Sequence, residues 1–421
     1  PVAPSTTPLA PPTEATRDEP LLDFESGLGG MLGEGITTVT FYRGELQSAA
    51  AFLKERLAKV AAANPWIFGT LVKEKQHGKR AALRFSAGAP PVTDAVFEVS
   101  EALKLSEDAE YMDMVNRVNK SGAKIPQGRK LLNKGQPVSK LTVAPIDGGD
   151  GFAIVFSMSH TISNGGTYYQ ILNQLSADAA IISMNPTRKH DIRDKVTEHM
   201  GKAHWDHLNG CSNTLNALGK IFFGKNPTAH CFLVDDAKLS TAKAEAKAKP
   251  GAPEKISAND VLTSAFGRVC RPRLLIMACD FKGRIEGTVA EDAGQYHGGL
   301  IFDEQGYAEP AAIRQALTGP PPCSRAALPG CREGMRCPTG LITSWAAFKD
   351  LAIPACTLAL HTPCEQTSGM VVKSQNATCI VFNPRPGKVA MLCICKDVSS
   401  DELMAGLPFE GPLAPKMWPT S

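Results

Sequence analysis

No cysteine occurs in the first 210 residues, and the twelve that follow contain no Cys-x-x-Cys pair. That removes the ligand spacing on which structural zinc sites are usually built. No apolar run approaches the roughly 18 to 20 residues that a membrane-crossing helix needs. A charge excess is missing as well: 45 Lys and Arg face 42 Asp and Glu, a formal net charge of +3, so no global field draws the chain to nucleic acid or to an anionic membrane. The glycines at 27, 29, 30, 33 and 35 lack Gly-x-Gly-x-x-Gly spacing and follow no strand pattern, so they read as a flexible linker and not as a phosphate loop.

What is present describes an ordinary globular chain. With 43% hydrophobic and 21% charged residues over 421 positions, the composition supports a packed core, and the length exceeds what one core usually holds. Two domains are expected. Residues 1–20 open with a Pro/Thr-rich run and read as an extended tail, part of a Pro/Gly-rich tail and linker over 1–34. The first residue is Pro1, so no targeting signal is read from the start, and an intracellular site, cytoplasmic or organellar (a plastid included), is expected. Cys323, Cys331 and Cys337 form a loose cluster in a Pro/Gly/Arg-rich loop, where buried small hydrophobes are a better reading than a disulfide or a metal. Cys393 and Cys395 alternate along a strand and belong to the core. A reducing compartment suits this usage.

The centre of the sequence is Gly151 to Leu175. Phe152 to Phe156 is an unbroken apolar run, the pattern of a strand buried on both faces. From Tyr168 the period changes: Tyr168, Ile171, Leu172 and Leu175 form the stripe of an amphipathic helix. Between the two lie His160, Asn164, Gly165 and Gly166. A strand that ends in histidine and turns sharply into a helix presents an imidazole at a sheet rim, where it can act as a base.

Other elements flank this unit. Strands are expected at Ile36–Tyr42, Asn64–Val72, Ala81–Phe85, Ala95–Val99, Val138–Pro145, His230–Val234, Arg273–Asp280 and Cys356–His361, the last placed in a second sheet with a hairpin of Cys379–Phe382 and Val389–Cys395. Helices are expected around Ala49–Val60, Tyr111–Val118, Asn209–Phe223, Lys238–Lys249, Ile256–Phe266 and Ser399–Leu407. The polar segment 183–207 carries His190, His199, His204 and His207. No carboxylate or cysteine set accompanies them, so a solvated helix or loop is expected and no metal.

Six segments resemble, in order, the CoA-dependent acyltransferase superfamily, which includes chloramphenicol acetyltransferase, the plant BAHD enzymes and peptide-synthetase condensation domains. His160-Thr-Ile-Ser-Asn164-Gly165 is similar to the family's His-x-x-x-Asp-Gly, with asparagine for aspartate. The Ile36 strand, its following helix and Asn64-Pro-Trp resemble the family's opening. Asn259-Asp260 resembles the Thr-Asn-Asp start of the second domain. The strand running to Asp280-Phe-Lys-Gly-Arg284 resembles one ending in Asp-x-Arg-x-Arg, and Gly294-Gln-Tyr-His-Gly298 resembles Gly-Asn-Tyr-x-Gly. Thr343-Ser344-Trp345 resembles the family's Thr-Ser-Trp. The Asp-Phe-Gly-Trp-Gly motif of BAHD members is absent; Ala346 to Ile353 stand there instead.

The resemblance implies an α+β fold of two chloramphenicol-acetyltransferase-like domains, each a mixed sheet with helices, meeting around a channel. The domains would span 35–225 and 256–421 with a crossover over 226–255. It implies acyl transfer from acyl-CoA, a cosubstrate and not a bound cofactor, to a small-molecule hydroxyl or amine. His160 is then the general base, Asn164 and Gly165 shape its loop, and Thr343 or Ser344 donates to the oxyanion. Lys243 and Lys247 would meet the CoA phosphates as point charges. A second reading is a catalytically degenerate member serving as a binding or structural subunit of a larger complex. Amide condensation is disfavoured, because that branch carries two adjacent histidines and Ser159 precedes His160 here.

Overall fold

The computed structural model describes residues 15–78, 80–147, 149–318, 324–414 and 417. Residues 1–14 of the expected tail and Cys323 of the loose cluster lie outside them. Strands are numbered in chain order. In the first part they are β1 (Thr16–Pro20), β2 (Ile36–Arg43), β3 (Thr70–Val72), β4 (Ala82–Ser86), β5 (Phe97–Val99), β6 (Ser139–Pro145) and β7 (Gly151–Met158). Then follow β8 (Thr228–Val234), β9 (Leu274–Asp280), β10 (His297–Phe302), β11 (Thr339–Ser344), β12 (Thr357–Pro363), β13 (Ala377–Phe382), β14 (Ala390–Cys395) and β15 (Phe409–Pro412).

Two mixed sheets carry the architecture. One has the order β12-β2-β7-β6-β5, the other β10-β9-β11-β13-β14-β8-β15, and a small third sheet is β1-β4-β3. β7 is buried along nearly its whole length, as its unbroken apolar run predicts, because β2 and β6 pair on its two edges and side chains cover both faces. The Leu46–Ala63 helix packs Leu53, Leu57 and Val60 into the core of this half.

In the larger sheet, side-chain alternation separates two environments. Leu275, Met277, Ile342, Cys379, Cys393 and Cys395 share a core with Val261, Leu262, Ala265 and Phe266 of the Ala258–Cys270 helix. Ile276, Ala278, Thr343, Thr378 and Ile380, one residue out of phase with them, line a cavity on the other face. The helix is positioned by a capping box in which Ser257 and Asp260 satisfy each other's backbone N–H groups.

Four expectations are corrected. The strand expected over Cys356–His361 does not extend the second sheet: β12 pairs antiparallel with β2, Pro363 opposite Thr38. His361, fully buried, holds it there through Thr40 Oγ1 at 2.8 Å and the Tyr169 hydroxyl at 3.2 Å, with its ring stacked on Phe348. Conversely β8, from the expected crossover, lies inside the larger sheet between β14 and β15. Asn64–Val72 is only in part a strand, since Pro65–Phe68 forms a 3₁₀ turn before β3; proline at its first position suits a helical start and supplies no ladder N–H.

The fourth correction concerns the stretch read as tail and linker. Thr16–Pro20 is β1, paired with β4, and Asp23–Ser26 and Leu28–Leu32 are short helical turns. Its glycines serve close approach and not flexibility. A side chain at Gly30 would meet the Phe24 carbonyl oxygen at 2.5 Å.

Candidate active site

The turn after β7 is held from several directions. The Ser163 hydroxyl donates to the Ser159 carbonyl at 3.0 Å, and the Thr161 hydroxyl donates to the Gly30 carbonyl at 3.1 Å. Asn164 caps the following helix, Gly165–Asn173, its Oδ1 accepting the Thr167 N–H at 2.9 Å. A Cβ at Gly166 would meet Asp280 Oδ2, so any side chain there would have to displace that carboxylate. The loop therefore packs directly against the end of β9.

Arg188 ties the loop to the rest of the molecule. It donates to the Ile162 carbonyl at 3.1 Å and to the Ala293 carbonyl at 3.0 Å, and pairs with Glu25 at 2.9 Å, both side chains being fully buried. Glu25 in turn accepts the backbone N–H of Gln295 at 3.0 Å. The arginine that holds this loop takes its counterion from Glu25, so the loop has no need of a charge at position 164.

His160 lies in a cavity of about 440 Å³ between the two large sheets. Its side-chain surroundings disfavour protonation: burial holds the imidazole below its ordinary 6.5, while hydrogen bonds to the backbone of residues 160 and 163 pull the other way. The ring is neutral at pH 7. The Gln295 side-chain amide donates to the His160 carbonyl oxygen across the cavity wall. A second imidazole stands close by, since the His297 ring centroid is 6.1 Å from that of His160. His297 packs edge-on against Phe24 at 5.4 Å, and its buried Nδ1 has no hydrogen-bond partner among the described residues. Burial, with His160 second, pushes it down to about 3.

The structure brings His160, Asn164, Gly165, Thr343 and Ser344 to this one cavity. Thr343 and Ser344 end β11, in register with Ile380 and Val381 of the neighbouring parallel strand β13. Lys243 and Lys247 are elsewhere. Their helix, Asp236–Ala248, packs Leu239 and Ala246 into the core on the opposite face of the larger sheet, so the lysines stand apart from the cavity.

Several cavity residues gave little signal in the sequence. The polar segment 183–207 is more than a solvated loop: it supplies buried Arg188, and the Ile192–Met200 and Lys202–Asn209 helices bring Met200, Trp205 and Leu208 to the wall. His204 Nε2 meets the Ala326 carbonyl at 3.1 Å. Among the described residues, no group of three or more His, Cys, Asp or Glu side chains is placed to hold a metal ion, and every described cysteine is free. Gln295 and His297 sit in the quoted Gly294–Gly298 motif, which could have drawn attention to them. Glu25 carried no such mark.

No family model matches the sequence, and no curated protein matches it. Solved structures do. F. graminearum TRI101 in complex with ethyl coenzyme A is similar over 93% of this chain and 97% of its own, with TM-score 0.60 at 12% identity. Vinorine synthase is similar over 96% and 94%, with TM-score 0.57 at 14% identity. The first condensation domain of the CDA synthetase is similar over 92% and 93%, with TM-score 0.56 at 10% identity. Such identities speak to the fold. Two mixed sheets with a cavity between them give this chain the fold of TRI101, vinorine synthase and that condensation domain.

Proposed function

We propose that the protein transfers an acyl group from acyl-CoA to a hydroxyl or amine of a small-molecule acceptor, with His160 as general base. The observation that carries the reading is a neutral, half-buried imidazole at the wall of a cavity between the two sheets, its main chain held by Gln295. F. graminearum TRI101 has been solved with coenzyme A and deoxynivalenol, a pairing in keeping with two substrates meeting in such a fold.

In this mechanism the acceptor O–H or N–H gives its proton to His160 as the oxygen or nitrogen attacks the thioester carbonyl. The C–S bond breaks, the new C–O or C–N bond remains, and the proton passes from His160 to the departing thiolate. Proton transfer by a positioned base contributes on the order of 100- to 10,000-fold. Thr343 or Ser344 donates to the oxyanion, a role whose removal costs on the order of 100- to 1000-fold. Asn164 and Gly165 shape the turn that presents the imidazole.

The test is acceptor-dependent release of free thiol from a panel of acyl-CoA donors with mixed alcohols and amines, comparing the native chain with His160→Ala. Release that vanishes in the variant supports the reading. A second reading, a catalytically silent subunit of a larger assembly, is favoured by one feature: Leu215, Phe222 and Phe223 of the Cys211–Phe223 helix are 54%, 70% and 91% exposed. No release from folded protein across the whole panel would select it.

A further inference from the structure

We propose that the acceptor carries a cationic group, and that Glu34 and Glu365 form the part of the cavity wall that receives it. The inference rests on the reading above that this cavity takes an acceptor molecule, and it names that molecule's chemical class. Among the described residues lining the cavity, the charged ones are Glu34, Asp280 and Glu365, and no lysine or arginine lines it. Asp280 has a lysine at 3.7 Å, Lys282, which also donates to Thr167.

Glu34 and Glu365 come from distant parts of the chain and are brought together by strand pairing. Glu34 immediately precedes Gly35 and β2, Glu365 follows β12, and the Cys364 N–H donates to the Thr37 carbonyl at 2.9 Å. A Cβ built on Gly369 would stand 3.4 Å from Glu365 Oε1 and 3.9 Å from the Glu34 carboxyl carbon. Both carboxyl groups therefore flank one point of the wall. They share one cation, Lys124, whose Nζ lies 2.6 Å from Glu34 Oε2 with its side chain 7% exposed. Two carboxylates served by one ammonium leave the wall short of a positive charge.

The titration of Glu365 agrees with that count. Burial chiefly pushes its carboxyl up to about 7; Glu34 adds to the rise and Lys124 opposes it. Cys364 and Tyr111, which also face this corner, are themselves raised by burial and stay neutral. A bound cation would favour the ionised carboxylate.

A separate observation points to what the other end of the ligand offers. Asn164, 4% exposed and on the cavity wall, has a buried Nδ2 with no hydrogen-bond partner among the described residues. A buried donor left unmade is costly, so an oxygen or neutral nitrogen of a ligand is its natural complement, within the loop that carries His160. Phe24, Trp205 and Trp345 give the cavity aromatic faces that suit the apolar part of a ligand between its two ends. Amino alcohols and aminophenols have this form: an ammonium at one end and an uncharged nucleophile at the other.

The experiment is calorimetric binding to the full chain without any acyl-CoA. The probes are tyramine, 5-aminopentan-1-ol and choline, each against a neutral counterpart (4-propylphenol, 1-hexanol and 3,3-dimethylbutan-1-ol), with 3-(4-hydroxyphenyl)propanoate as the anion. At least one ammonium probe should bind tenfold or more tightly than its neutral counterpart at pH 8, less tightly at pH 6, and the preference should shrink severalfold in Glu365→Gln. Glu34→Gln, which leaves Lys124 to Glu365, should shrink it as well. Equal or tighter binding of the neutral and anionic probes, no binding by any ammonium, or a preference unchanged in both variants would overturn the proposal. The assay stands apart from catalysis: cation preference without thiol release would defeat the acyl-transfer reading alone, and release with neutral acceptors and no such preference would defeat this one alone.

Discussion

The side-chain amide of Gln295 donates a hydrogen bond to the main-chain carbonyl of His160, joining residues 135 apart in sequence. Gln295 thereby fixes the height of the loop that carries His160 from the segment just before β10 of the opposite sheet. Removing the donor leaves the fold intact and loosens the base. Gln295→Leu should lower kcat by about tenfold or more through misplacement, with little change in the urea midpoint. A steady-state assay with parallel unfolding checks both; unchanged kcat would mean the contact does not position His160.

Glu25 and Arg188 bury opposite charges in full contact, and each supports a different loop. Replacing one partner strands the other in a dry site. Arg188→Met or Glu25→Gln should each cost about 3 to 5 kcal/mol by urea denaturation. A loss under about 1 kcal/mol would show that the pair is dispensable to the loop.

Asn164 invites a paired substitution. Aspartate keeps the cap on Thr167 and suits a helix N-terminus, while alanine removes the cap. Asn164→Asp should fold with stability within about 1 kcal/mol of the native chain, and Asn164→Ala should lose roughly 0.5 to 2 kcal/mol. The reverse order would mean that charge near Asp280, and not capping, governs this loop.

Much of this architecture is written in local signals. The unbroken apolar run of β7, the change of period at Tyr168 and the Ser257–Asp260 capping box each follow from neighbours within a few residues, and His160 is marked by the junction they make. What could not be read depends on distant pairing. Glu25 and Arg188 look like surface residues in polar company, and only contact across 163 positions buries them. The glycines before β2 look like a linker until the loop of His160 is packed on them: a Cβ at Gly33 would stand 3.5 Å from the His160 Cβ. β12 has strand character in the sequence, yet its sheet is set by pairing with distant β2, where His361 meets Thr40, 321 positions away.

Acid should expose the buried histidines. His297 is held at about 3 against an ordinary 6.5, so between these values the unfolded chain binds a proton that the folded chain refuses. Its contribution to stability is complete above pH 6.5 and falls as pH drops toward 3. His361 behaves alike, whereas Glu365, raised to about 7, acts in the opposite sense. A difference measurement isolates one group: for His297→Phe, the slope of stability against pH between 5.5 and 4 should be shallower than native by about 1.4 kcal/mol per pH unit. Equal slopes would place His297 in contact with water.

The central claim is that His160 removes the acceptor proton as a neutral base. The most direct measurement is the pH profile of kcat/KM for acceptor-dependent thiol release, for the native chain and for His160→Ala. The native profile should fall only below the ordinary histidine value of 6.5, because burial lowers this group, and the variant should lose at least about 100-fold in rate together with that limb. A variant that kept the native rate, or kept the same acidic limb, would contradict the assignment of His160 as the base.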